Sequence, residues 1–244
     1  MLKPKHLPWI IMITGLSGLA LRLLFFAAMD ERGLLPKEHP AGILCFVLTG
    51  LAMAAIFLCV RSLRPFANHA QLFPASGFRA IGCFIGAVGL LYAAVTEFFS
   101  GSGALPLITS TLGLIATGCL GFVGIARWNG RRPSFLLHSA VTVFLMLYTV
   151  CQCRFWSSEP QFQIYFFPLL GSVLLMLTGY YHAVLSLQKG SRRWFVFCNQ
   201  AALFFCLLSL NDRNWPFYLC MALWLLLDCC SLRMSPPRYL RKKG

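Results

Sequence analysis

Charge is what this sequence has least of. Only 11% of its 244 residues are Asp, Glu, Lys or Arg, while 58% are hydrophobic; an ordinary soluble domain carries about 25% charge. A soluble fold of this length would have too little polar surface to cover so much apolar material. Acidic residues are the rarest, seven against 21 Lys and Arg, for a formal net charge of +14. Signature motifs are missing too. There is no Walker A loop, no G-x-S-x-G elbow, no H-E-x-x-H and no G-x-G-x-x-G, which removes the usual nucleotide, acyl-transfer, zinc-protease and dinucleotide readings. No arginine-rich voltage-sensing helix is present, and no series of ten-residue alternating segments such as a membrane β-barrel requires.

What is present is eight continuous apolar runs: 8–29, 41–60, 80–99, 105–126, 135–153, 162–187, 194–210 and 216–232. A helix needs about 20 mainly apolar residues to cross a bilayer. The runs predict an all-α, polytopic transmembrane bundle of about eight helices, forming one integral membrane domain over 1–244. Short polar breaks between runs predict that successive helices are antiparallel neighbours. The first run is longer than a signal-peptide core and contains Arg22, so an uncleaved first helix is expected; cleavage would leave seven helices and an outside N-terminus.

Basic residues then orient the bundle, because Lys and Arg concentrate on cytoplasmic loops. Sixteen of the 21 fall on one side, in 3–5, 61–79, 127–132, 189–193 and 233–243; four fall on the other, and Arg22 lies within the first run. Both termini are therefore expected inside. Asp30, Glu31, Glu38, Glu97, Glu159 and Asp212 fall on or beside the outer face, leaving Asp228 as the only other acid. The positive charge reads as an inner-leaflet signature, attracting anionic headgroups at about 1 kcal/mol per residue, and nucleic acid is not needed to explain it. The expected location is a cell membrane, the bacterial cytoplasmic membrane by this pattern. Pro65 and Pro74 break the longest loop, 61–79, whose Phe66, Leu72, Phe73 and Phe78 are expected on the membrane surface. Eleven cysteines are scattered through the apolar runs; they read as small hydrophobes, not as disulfides or metal ligands.

Three groups of residues stand out. Gly82, Gly86 and Gly89 share a face of the third run; Gly113, Thr117, Gly121 and Gly124 do the same on the fourth. Small-xxx-small stripes allow close helix packing, and also suit a homo-oligomer seam or a partner in a membrane complex. Arg22 lies roughly 10 Å inside the outer end of the first run. It either snorkels toward Asp30 or lines an outward cavity and holds an anionic group, with Glu97 as internal partner. Near the inner ends, Asp228, His138, His182, Asn199 and Gln200 sit at comparable depth. A carboxylate with two imidazoles suits proton transfer or metal binding; alternatively Asp228 pairs with an inner arginine such as Arg233. Haem ligation by the two histidines has no supporting motif, and no cofactor or metal is indicated.

The function expected first is a small-solute transporter or membrane ligand-binding protein. An accessory, sensory or assembly subunit comes second, and an intramembrane enzyme acting on lipid third.

Overall fold

Each apolar run forms a helix in the computed structural model, which describes residues 6–29, 36, 39–63, 76–100, 103–157 and 161–232, without the side chains of 100, 162 and 163. The helices are α1 (Leu7–Ala27), α2 (Pro40–Arg61), α3 (Gly77–Ser100), α4 (Ala104–Trp128), α5 (Phe135–Trp156), α6 (Phe162–Ser186), α7 (Arg192–Leu208) and α8 (Trp215–Cys230), with a 3-10 turn at Ser209–Asn211. No strand occurs among the described residues. The loop segment 64–75, Asp30, Arg233 and the basic tail lie outside the described residues, and with them the expected surface contacts of Phe66, Leu72 and Phe73.

Seven helices are long and apolar enough to cross a membrane, α7 doing so together with its 3-10 turn. The exception is α8. At 16 residues it reaches only about 24 Å, against a hydrocarbon core of about 30 Å. Polar residues at both of its ends, Asn214 and Asp228, are buried, so protein and not lipid surrounds its termini.

Side-chain contacts sort the helix ends into two groups. At one end, Arg79 of α3, Arg127 of α4 and His182 of α6 all reach Asp228 of α8. His138 of α5 stacks on His182 there, and Arg193 of α7 donates to the Leu63 carbonyl beyond α2 at 2.6 Å. At the opposite end, Arg22 of α1 meets Leu208 of α7 and Ile164 of α6. The first group carries the Lys/Arg-rich breaks and is called the basic end.

Six helices close a ring in the order α3–α4–α5–α6–α7–α8, with α8 packing back on α3, while α1 and α2 lean on α7. The step that leaves the sequential pattern is α2 to α3: across the longest loop, α2 packs on α1 and α7 instead. The ring has no lumen through its middle layer, because Phe144, Tyr148, Phe217, Met221 and Trp224 fill it and are almost fully buried. α7 is the most enclosed span, 78% buried against 28% for α1 and α2. Outward, Leu24, Leu51, Leu58, Val88 and Phe122 are largely exposed, a surface suited to lipid tails. Trp9, Trp128 and Trp194 stand exposed at the basic end and Trp215 at the other, the interfacial positions tryptophan favours.

The two small-residue stripes differ. A Cβ added at Gly89 would lie 2.6 Å from the Cys220 Cβ, and at Gly86 3.0–3.2 Å from Leu120 and Trp224, so α3 uses its stripe against α8 and α4. On α4 only the two ends of the stripe are tight: Gly113 against Ala94 and Phe144, Gly124 against Ala80 and Cys83. Gly121 faces open space and Thr117 is half-exposed. Steps of four residues turn a helix by 400°, so a stripe built from them drifts about 40° per step off its contact face. Gly113→Val should therefore lower stability by about 1–3 kcal/mol through overpacking, while Gly121→Ala should leave it unchanged or slightly raised. Thermal unfolding in detergent would separate the two, and equal losses would show the α4 stripe packed throughout.

Candidate functional site

Asp228 is the centre of the basic end. Its Oδ1 accepts from Arg79 Nε (2.9 Å) and Nη2 (2.6 Å) and from Arg127 Nη1 (3.1 Å). Its Oδ2 faces His182 Nε2 at 3.3 Å and accepts from Asn199 Nδ2 at 3.4 Å. Arg127 also bonds to the Cys83 sulfur and reaches His182 Nδ1 at 3.3 Å. A neutral imidazole with its proton on Nε2 suits both contacts, Nε2 facing the carboxylate and a bare Nδ1 accepting from Arg127. Asn199 Oδ1 in turn accepts the Cys229 thiol at 2.9 Å. All of these residues are buried, as a carboxylate removed from water requires if it is to stay charged.

The structure thus brings Asp228, His182 and Asn199 together. His138 joins through its ring, stacked on His182 with centroids 5.0 Å apart and planes 9° from parallel, which leaves no space for a porphyrin between them. Gln200 is not a member: its amide is fully buried, and neither end finds a hydrogen bond among the described residues. The pairing of Asp228 is with Arg79 and Arg127, residues the hydropathy pattern assigns to loops. The helices extend past the apolar runs and carry both inward. A signal for this existed in helical phase, since Arg127 follows Gly113, Ala116, Leu120, Val123 and Gly124 on the buried face of α4.

Arg22 faces the interior, but not toward Glu97. Its Nη1 donates to the Leu208 carbonyl at 2.6 Å and its Nη2 to the Ile164 carbonyl at 2.7 Å. The two acceptors differ. Leu208 lies where α7 passes into the 3-10 turn, whose first bond its carbonyl also accepts. Ile164 precedes Pro168 by four residues in α6, and a proline has no N–H to return to it. The guanidinium also lies over the Phe26 and Phe167 rings, 5.2 and 5.3 Å from their centroids. The cavity beside it is only about 10 Å³, room for one water at most, so the outward cavity expected at Arg22 is not formed there. Glu97 belongs to α3, whose main packing partners are α4 and α8.

Glu97 instead lines a cleft of about 630 Å³ at the end opposite the basic one. Its walls come from the last turns of α3 and α5, the start of α4 and the turn before α8. A hydrogen-bonded chain forms one side. Gln152 Nε2 donates to Glu97 Oε1 at 2.7 Å, and the two Asn214 Nδ2 protons serve Gln152 Oε1 (3.2 Å) and the Tyr148 hydroxyl (3.0 Å). Asp212 caps the turn, accepting from the backbone N–H groups of Arg213 and Asn214. Burial pushes its carboxyl up; the positive charge of Arg22 and the two N–H bonds pull it back. Arg213 lies over the Phe155 ring at 5.6 Å. Sequence reading missed this cleft. Gln152 was findable, in phase with buried Leu145, Tyr148 and Thr149 on α5.

Fold and surface define the class: a multi-pass integral membrane protein built as a helical bundle. Comparison of the chain with models of protein families, with curated proteins and with solved structures gives no match.

The buried contacts at both ends can be tested by substitution. Asp228→Asn should lower stability by about 3–5 kcal/mol, since it leaves two guanidiniums buried against a neutral amide; an unchanged unfolding midpoint in detergent would contradict this. Arg22→Leu should cost about 1–3 kcal/mol for the Ile164 carbonyl it strands. Pro168→Ala restores the missing N–H in α6, so it should recover part of that loss in the double variant. Simple additivity of the two would show that Arg22 does not serve the proline-freed carbonyl.

Proposed function

We propose that this protein binds a small polar solute in the cleft beside Glu97, as a small-solute transporter or membrane ligand-binding protein. The observation that carries the reading is the cleft itself. Its volume, about 630 Å³, falls in the range of small-molecule sites, roughly 300–1,000 Å³. Its polar wall is pre-organised, because each amide in the chain Glu97–Gln152–Asn214–Tyr148 is held by its neighbour. The rest of the ring supports the same reading. Glu97 and Arg79 are separated by eighteen residues of α3, about 27 Å, so the cleft and the charge cluster occupy opposite ends. One end is open and the other is sealed by side chains from all six ring helices, the arrangement an outward-facing carrier requires.

In this reading the basic end is cytoplasmic and the cleft opens to the outside. Cys151 provides the test, since it lines the cleft and its sulfur lies 3.3 Å from the Thr109 hydroxyl. In a variant retaining Cys151 alone, a membrane-impermeant maleimide should label intact cells. Labelling only after permeabilisation would invert the orientation. Absence of labelling under both conditions would remove the cleft as a solute site. Reporter fusions after 102, 157 and 213 should read as external, and those after 130 and 190 as cytoplasmic.

A further inference from the structure

One side of the cleft merges with the surface that meets lipid. Tyr92, Val95 and Phe99 form a strip of its lining on α3. Val95 and Phe99 are 42% and 80% exposed, as are residues that face lipid elsewhere, such as Leu51 at 64%. Seven residues separate Tyr92 from Phe99, so the strip runs about 10 Å along the helix. Phe155 of α5 adds a further exposed ring to the lining. Apolar groups on a bilayer-embedded face are covered by hydrocarbon in preference to water.

The mouth beside this strip is positive. Arg154 lies two residues before the end of α5, and Arg213 lies in the turn before α8. Both line the cleft and are exposed, and neither forms an ion pair among the described residues. They stand at headgroup level, because α5 has 22 residues and reaches about 33 Å, against a hydrocarbon core of about 30 Å. The Arg213 guanidinium lies over the Phe155 ring, which orients it and leaves its N–H edge for an acceptor. The acids of the cleft are engaged elsewhere. Glu97 is bonded by Gln152 in the wall. Asp212 is bonded by the backbone of its own turn, with Arg22 the opposite charge that acts on it most. The start of α4, which no side chain caps, opens on the same mouth and adds the positive end of its dipole. Arginine forks suit phosphate oxygens, and in a bilayer the phosphates at that level belong to lipids.

We propose that a phospholipid seats on the membrane side of the cleft, its phosphate held by Arg154 and Arg213 and one acyl chain lying along Tyr92, Val95 and Phe99. This goes beyond the solute reading, since it uses the mouth and the bilayer face and leaves the polar chain beside Glu97 untouched. A free phosphate gains only from the arginines and a diacylglycerol only from the strip, whereas a phospholipid gains from both. The seated lipid forms the missing wall of the cleft.

The test places a bimane fluorophore on Phe98→Cys, exposed beside the strip, in the full chain without its native cysteines and in detergent. Quenching is titrated with phosphatidylglycerol carrying brominated chains and with the diacylglycerol of the same chains. The phospholipid should reach half-quenching at about thirtyfold lower concentration, the worth of two arginines near a headgroup. Arg154→Gln with Arg213→Gln should remove that preference. The same fluorophore on Leu51→Cys of α2 should be quenched equally by the two lipids, and glycerol 3-phosphate should not displace the phospholipid from the site beside Phe98. Equal quenching by both lipids beside Phe98, or the same phospholipid preference at Leu51, overturns the seat in favour of ordinary surrounding lipid. Displacement by glycerol 3-phosphate overturns it in favour of a free anion. These arms keep the native arginines, so they decide the proposal even if the double variant does not fold. None of them depends on whether a solute binds beside Glu97.

Discussion

A carboxylate in a bilayer-embedded bundle has no water to fall back on, so the helices around Asp228 must supply every donor it needs. Its two oxygens collect donors from α3, α4 and α7 and face His182 of α6, and His138 of α5 is stacked on that histidine. Each contact fixes the rotation and depth of a different helix. Hydrophobic burial supplies little discrimination between arrangements here, because lipid is as apolar as the helix faces. A desolvated charge does discriminate, since an arrangement that leaves it unpaired costs several kcal/mol. The same centre explains how α8 can be too short to span alone: its basic-end terminus is closed by guanidiniums of its neighbours.

The opposite end applies the same constraint to the backbone. Pro168 deprives one carbonyl of α6 of its donor, a group that water would otherwise hydrate. In the bundle the planar fork of Arg22 serves it and the Leu208 carbonyl at the end of α7 together, with the geometry that distinguishes arginine from lysine. An arginine deep in an apolar helix thus has a structural cause, and α1 is attached to the ring through it.

Between these two anchored ends lies the asymmetry that a function would use. The basic end is filled by the cluster around Asp228, the middle by Phe144, Phe217 and Trp224, and the far end opens into the cleft beside Glu97. The walls of the cleft and the cluster at the basic end share α3, α4 and α5, and the turn at Asp212–Asn214 leads straight into α8.

The number of helices and their apolar, helical nature were determined by the sequence alone, because an apolar run of about 20 residues is a one-dimensional record of bilayer thickness; that α8 is too short to cross by itself, and that α3 and α4 continue past their runs, was not. Which charges lie beside the apolar runs was legible too, and Asp228, His182 and Asn199 could be grouped by depth from their places in their runs. Depth says nothing of rotation or of which helices are neighbours. Those were decided only in three dimensions: that α2 leaves α3 for α7, that Arg79 and Arg127 turn inward to Asp228, that Arg22 meets the carbonyls of Leu208 and Ile164, and that Glu97 meets Gln152 in the wall of a cleft. The physical reason is that hydropathy records how each residue partitions between lipid and water, whereas partner choice depends on hydrogen-bond geometry between segments far apart in the chain.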